Sequence, residues 1–212
     1  MIKVGASILS ADLLHLQDEL TDLEKAGVDF LHYDVMDGHF VPNLTFGPNL
    51  VKTVKQAWSR QIDVHLMVDN PQQVVPWFVE VKPFRISWHI EVKVNHQELC
   101  QKLKKEGIIP GIAINPPTDC EQLKPFIQSF DYVLIMSVNP GFGGQKFISS
   151  VLEKVEKIKK MKALPLYIDG GINQSSAILA RQAGIENLIS GSYLVKADDR
   201  RKACQSLRGP LK

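Results

Sequence analysis

Four side chains stand where apolar runs give way to turn residues, and all four are types that bind metals or move protons. His32 and Asp34 lie two apart in Leu31-His32-Tyr33-Asp34-Val35-Met36-Asp37-Gly38-His39-Phe40-Val41-Pro42-Asn43, a strand-like run that ends in a loop. Residues two apart on a strand share a face, so the imidazole and the carboxylate sit side by side. Such a pair supplies two ligands to a divalent metal, or is a satisfied core histidine beside a loop-capping aspartate. His65, in Ile62-Asp63-Val64-His65-Leu66-Met67, and Asp169, in Leu166-Tyr167-Ile168-Asp169-Gly170-Gly171, each end a similar run. Together the four offer two imidazoles and two carboxylates. That set suits one divalent ion of the Zn²⁺, Mn²⁺, Fe²⁺ or Co²⁺ type better than Mg²⁺ or Ca²⁺, which prefer all-oxygen shells. The carboxylates have a second use. Two bases on opposite faces of one carbon invert a stereocentre by removing a proton and returning it, with a Lewis acid on the adjacent carbonyl stabilising the enediolate.

A second constellation is built from glycine. Asn139-Pro140-Gly141-Phe142-Gly143-Gly144-Gln145-Lys146-Phe147 follows an apolar run and precedes a helical stripe that begins at Val151. Backbone N–H groups in such a loop approach an anion closely, with a helix N-terminus behind them. Gly170-Gly171 and Gly191-Ser192 repeat the device after the next two runs, which points to a phosphate site. Met36, Met67 and Met136, near three strand ends, read as core filling or as an apolar cap that limits water.

Positioning these groups at one rim requires a particular scaffold. Strand-like runs recur at Val4–Leu9, Phe30–Val35, Ile62–Met67, Arg85–Ile90, Pro110–Asn115, Tyr132–Val138, Leu166–Asp169 and Asn187–Ser190. Helical stretches fill the gaps. Leu13, Leu16, Leu20 and Leu23 form one stripe, with Ser10 or Asp12 as N-cap, and Val151, Leu152, Val155 and Ile158 form another, with Lys154, Lys157, Lys159 and Lys160 on its wet face. Gly27, Gly107 and Gly184 stand where left-handed helix C-caps are wanted, whereas Val81-Lys82-Pro83-Phe84 breaks that punctuation. Strict β/α alternation means a parallel sheet with helical crossovers, and eight units close into a (β/α)₈ barrel, here one α/β domain over residues 1–212. A doubly wound open sheet is disfavoured because Ser7-Ile8-Leu9-Ser10 stands where G-x-G-x-x-G would follow the first strand. In a barrel, chemistry belongs at the C-terminal strand ends, where Ser7, His32, Asp34, His65, Asp169 and the glycine loops all fall.

Composition removes other classes. With 25 Lys and Arg against 23 Asp and Glu, no charge bias points to nucleic acid or a membrane surface, and Arg200-Arg201-Lys202 reads as a solvated helix face. Cys100, Cys120 and Cys204 lack CxxC spacing and imply reduced thiols in a cytoplasmic setting. No signal peptide or membrane span is expected.

The blocks Ser7-Ile8-Leu9-Ser10-Ala11-Asp12, His32 to Asn43, Asp63-Val64-His65-Leu66-Met67-Val68, Met136 to Gln145, Asp169-Gly170-Gly171 and Gly191-Ser192 resemble the ribulose-phosphate 3-epimerase family, in order and over nearly the full length. The resemblance implies a TIM barrel of the ribulose-phosphate binding type that interconverts D-ribulose 5-phosphate and D-xylulose 5-phosphate in the pentose phosphate pathway. It implies metal binding by His32, Asp34, His65 and Asp169. Asp34 would accept the proton and Asp169 donate it in one direction, with Ser7 and His65 on the sugar. Gly141, Phe142, Gly143, Gly144, Gly170, Gly171, Gly191 and Ser192 would hold the phosphate end. Two departures are Lys82-Pro83-Phe84 before the fourth strand and Tyr193, where a small residue is usual; its ring would crowd the phosphate loop or pack outside the barrel. A six-carbon ketose phosphate epimerase is the close competitor, but its glycine loop is looser. A decarboxylase or aldolase would need a strand-end lysine, and Lys146 lies past the loop. The partners expected are a small ketose phosphate and, in a homo-oligomer, further copies of the chain, with no nucleic acid and no membrane.

Overall fold

The apolar runs become eight strands in a computed structural model that describes residues 1–209. Of the domain expected over 1–212, Pro210, Leu211 and Lys212 lie outside the described residues. The strands are β1 (Lys3–Ser7), β2 (Phe30–Met36), β3 (Gln61–Met67), β4 (Arg85–His89), β5 (Ile109–Ile114), β6 (Tyr132–Met136), β7 (Leu166–Asp169) and β8 (Asn187–Ser190). Each pairs in parallel with the next, and β8 pairs with β1, closing a barrel. Helices α1 (Leu16–Lys25), α2 (Pro48–Val54), α3 (Pro71–Val79), α4 (His96–Lys105), α5 (Glu153–Met161), α6 (Gln174–Gln182), α7 (Ser192–Val195) and α8 (Arg200–Arg208) surround it.

The period-2 alternation of each strand sorts side chains into two apolar regions. Outward residues such as Leu31, Tyr33, Val64, Leu66, Val133 and Ile168 pack beneath the helices. Inward residues Phe30, Ala113, Tyr132, Leu134, Met136, Tyr167 and Ile189 fill the barrel. Two aromatic rings fit inside only because glycine faces them: a Cβ on Gly5 would lie 2.3 Å from the Phe30 ring, and one on Gly111 2.1 Å from Tyr132.

Several expectations need correction. Alternation fails between β5 and β6, where only 3₁₀ turns at Cys120–Leu123 and Ile127–Ser129 form. Pro116, Pro117 and Pro125 remove N–H donors there and disfavour helical backbone at the preceding residues. β1 stops at Ser7 because Ile8–Ser10 winds into a 3₁₀ turn, and β6 stops at Met136, with the Ser137 hydroxyl donating to the Asp169 carbonyl at the end of β7. Asp12 is a cap, accepting from the Leu14 N–H at 3.0 Å, but the turn it caps leaves Leu13 exposed. Lys154 is buried rather than wet, its ammonium donating to the Thr118 carbonyl across the helix-free crossover. Gly27, Gly107 and Gly184 have φ of 87°, 73° and 87°, and the irregular segment after α3 puts Lys82 itself in that region at φ 46°.

Candidate active site

Strand register brings the four candidate ligands together. β2 and β3 pair Asp34 with His65 and His32 with Asp63, while β1 sets Ser7 beside His32 and β6 sets Met136 beside Asp169. His32 Nε2 and His65 Nδ1 each lie 3.3 Å from Asp34 Oδ1, and His32 Nε2 lies 3.9 Å from Asp169 Oδ2. One donor atom from each of the four falls within 4.8 Å of all the others. His32 Nδ1 is engaged by Asp63 Oδ2 at 2.8 Å, whereas its Nε2 is buried with no hydrogen-bond partner. A buried imidazole nitrogen left unpaired is costly, and one aimed at two carboxylates and a second imidazole is what a divalent cation requires. The donor set fits such an ion.

The surroundings divide the two carboxylates electrostatically. Burial alone would raise Asp34, but the His32 and His65 imidazoles beside it outweigh burial and hold its carboxyl well below the ordinary range. Burial raises Asp169, the Asp34 charge raises it further, and its pKa is pushed up to about 7. At neutral pH one carboxylate is therefore kept ionised and the other is poised to carry a proton. Burial holds His65 neutral, its pKa lowered to about 4, while His32, despite burial, is raised well above its usual value by Asp34 and Asp63.

Above this cluster lies a cavity of about 600 Å³. Asp34 and Asp169 reach it from β2 and β7, and Ser7, Gly141, Phe142, Gly143, Gly144, Gly170, Gly171, Gly191 and Ser192 line it, as do Met36, Met67 and Met136. His32 and His65 are fully buried beneath its floor, so of the sequence-derived residues only those two do not face it. Ser7 Oγ donates to Asp34 Oδ2 at 2.5 Å, leaving Oδ1 to the cluster. The glycine loop is braced: Gln145 Nε2 donates to the Asn139 and Phe142 carbonyls at 2.7 and 2.8 Å, and Asn43 Nδ2 to the Gly141 carbonyl at 2.8 Å. Gly171 has φ 63°, and a Cβ there would meet the Phe147 backbone nitrogen at 2.6 Å, so the loops after β6 and β7 interlock only around glycine. α5 starts at Glu153, well past the glycine loop; the helix that begins on the cavity wall is α7, at Ser192. Tyr193 borders the cavity, but its hydroxyl lies 2.9 Å from Ser206 Oγ on α8 and its ring packs with the outer core.

Sequence reasoning missed four residues. Asp63, fully buried, sits 2.8 Å from His32, 3.1 Å from the Tyr132 hydroxyl and 3.2 Å from Arg85 Nε, which links the ligand cluster to the barrel interior. Its signal was the same-face spacing Asp63-x-His65. His89 ends the fourth apolar run as His65 ends the third, and lies 2.9 Å from His65 through their Nε2 atoms. Glu91 follows it, 3.2 Å from His89 Nδ1. Ser10 lines the cavity between the turns of Gly143 and Gly191.

A profile of the Ribulose-phosphate 3 epimerase family matches residues 3–195. The chain is 42% identical to the ribulose-phosphate 3-epimerase of Bacillus subtilis (strain 168), covering 99% of both chains. It is 44% identical to that of Helicobacter pylori (strain ATCC 700392 / 26695), covering 98% of this chain and 97% of the other. It is 37% identical to the cytoplasmic isoform from Oryza sativa subsp. japonica over 97% and 92%. Among solved structures, KGPDC from Streptococcus mutans superposes with a TM-score of 0.73 over 98% of this chain and 96% of the other at 11% identity, a likeness of fold alone.

Proposed function

The chain belongs to the ribulose-phosphate 3-epimerase family and interconverts D-ribulose 5-phosphate and D-xylulose 5-phosphate; from that premise we propose how its own residues do so. The carrying observation is the pair Asp34 and Asp169, which line one cavity from β2 and β7, with protonation preferences driven apart. Asp34 Oδ2, ionised and oriented by the Ser7 hydroxyl, removes the proton at C3 of the ketose from one face. Protonated Asp169 returns a proton to the same carbon from the other face, which inverts the stereocentre. The pair is left with its proton on Asp34 and its charge on Asp169, the state that runs the reaction backwards; exchange with solvent resets it.

His32, Asp34, His65 and Asp169 would hold one divalent cation, of the Zn²⁺, Mn²⁺, Fe²⁺ or Co²⁺ type. Bound there, it supplies Lewis acidity toward the carbonyl next to the reacting carbon. Ser7 orients the base, and Met36, Met67 and Met136 form an apolar wall that limits water around the reacting carbon. Backbone N–H groups of the turns at Gly141, Phe142, Gly143 and Gly144, at Gly170 and Gly171, and at Gly191 and Ser192 would grip the phosphate. The whole chain works as one domain. The setting is cytoplasmic: no described helix is long and apolar enough to cross a membrane, the three cysteines are buried and free, and a plant relative is a cytoplasmic isoform.

Steady-state assays of Asp34→Asn and Asp169→Asn test the scheme. Each is expected to lower kcat by about 10²- to 10⁴-fold with circular dichroism unchanged. Full turnover in either variant would refute the two-carboxylate scheme.

A further inference from the structure

The polar chain does not stop at the cluster. His65 Nε2 lies 2.9 Å from His89 Nε2, and His89 Nδ1 lies 3.2 Å from Glu91 Oε2. Both imidazoles are fully buried, and the His89 ring is held between His65 and Phe40, with centroids 5.0 and 4.5 Å away. Glu91 is pinned in turn: its Oε1 accepts from the Asn115 N–H at 2.9 Å and from the Thr118 hydroxyl at 2.6 Å. We propose that His89 and Glu91 are positioning residues for the metal site, holding His65 in the tautomer that presents an Nδ1 lone pair to the cation. The proposal rests on the metal reading given above.

The polarity follows from counting protons. A neutral imidazole has one N–H and one lone pair, and a carboxylate only accepts. Glu91 therefore takes the proton on His89 Nδ1, which leaves His89 Nε2 as an acceptor. That acceptor needs a proton on His65 Nε2, and His65 Nδ1 is left with its lone pair, 3.3 Å from Asp34 Oδ1 and inside the ligand cluster. The reverse polarity would oppose the His89 Nδ1 lone pair to the Glu91 carboxylate, two acceptors 3.2 Å apart. Asp34 by itself favours the reverse, since it would accept from His65 Nδ1; Glu91 is the group that pulls the other way. Ligating histidines are commonly oriented by an acceptor on their far nitrogen. Here that acceptor is a second imidazole, and the carboxylate stands one residue further out. A role in packing alone has no use for this polarity and would tolerate its reversal.

Glu91→Gln reverses it with minimal change of shape. The Asn115 N–H and the Thr118 hydroxyl keep the amide oxygen at the Oε1 position, so the amide NH₂ faces His89 Nδ1. The NH₂ donates, His89 must donate from Nε2, and His65 is driven to carry its proton on Nδ1. A cation then binds only against a donor–donor contact somewhere in the chain. The Zn²⁺ dissociation constant, measured by competition with a chromophoric chelator on folded protein, is expected to rise about tenfold or more in Glu91→Gln. In Zn²⁺-loaded wild type, ¹⁵N NMR of the imidazoles is expected to find His89 protonated on Nδ1, a readout that needs no variant. A smaller rise, or His89 protonated on Nε2 in the loaded wild type, would overturn the proposal. Failure of the wild type itself to bind Zn²⁺ would instead refute the metal reading on which it stands.

Discussion

Asp169 and Asp34 differ in what surrounds them, not in chemistry, and that difference has consequences for stability as well as turnover. In the cation-free protein Asp169 titrates near 7 against an ordinary 3.8, so the folded state holds this proton more tightly than the unfolded chain. Stability from that group is fully present below about pH 4 and is lost as pH rises through 7. Asp34, held low, contributes with the opposite sign: its stability is present above its ordinary value and is lost as pH falls. Chelator-treated Asp169→Asn should therefore lose less Tm than wild type between about pH 4 and pH 8; parallel Tm curves would contradict this. Asp63 sets a second expectation. Arg85 is buried against Phe30 and Tyr167, with its guanidinium carbon 4.4 Å from each ring centroid, and Asp63 is its counter-charge. Asp63→Asn leaves that charge uncompensated and is expected to destabilise by about 3–5 kcal/mol in urea unfolding; a loss below about 1 kcal/mol would contradict the account. His32, Asp34, His65 and Asp169 were legible in sequence because each is a lone polar residue ending an apolar run. Asp63 was less so, since Arg85, 22 residues away, meets it only through the register of β3 with β4, and Tyr132, 69 residues away, only across the barrel interior.

Strands and loops carry the site at the next scale. The bounds of β7 and β8 were readable to the residue because both end in Gly-containing turns, at Asp169-Gly170 and Ser190-Gly191. Those of β1 and β6 were not, because Ile8 and Val138 continue the apolar run after the backbone has left the sheet. Lys154 was misread because helical periodicity cannot show that the crossover beside it lacks a helix and offers a free carbonyl. Two variants test how these elements hold the site. In Asn43→Ala the Gly141 carbonyl loses its side-chain tether, and KM is expected to rise about fivefold, the equivalent of about 1 kcal/mol for one hydrogen bond. An unchanged KM would show that the loop is placed by its internal bonds alone. Gly111→Ala drives a methyl into the Tyr132 ring and is expected to cost about 1–3 kcal/mol of stability, read from the shift of the urea midpoint; an unshifted midpoint would mean that the ring has room to move.

As a whole molecule the protein shows why a barrel alone does not specify a reaction. KGPDC from Streptococcus mutans and 3-hexulose-6-phosphate synthase from Salmonella typhimurium share its fold at TM-scores of 0.73 and 0.71, with only 11% and 14% identity. On that scaffold this chain carries two carboxylates and two buried imidazoles with ligand atoms within 4.8 Å of one another, next to a cavity lined by three glycine turns. The closed eight-strand topology was legible because alternation of apolar runs and amphipathic stretches admits few other solutions; the missing helix between β5 and β6 was not, although Pro116, Pro117 and Pro125 announced it. The central claim is that one proton leaves and another arrives at a single carbon from opposite walls. Running the reaction in D₂O and reading C3 of the recovered ketose phosphate by NMR tests it most directly. Deuterium is expected at C3 of the epimerised product, and Asp34→Asn and Asp169→Asn are each expected to slow this epimerisation by about 10²- to 10⁴-fold. Epimerisation that carries the original hydrogen through to the product without exchange would contradict it.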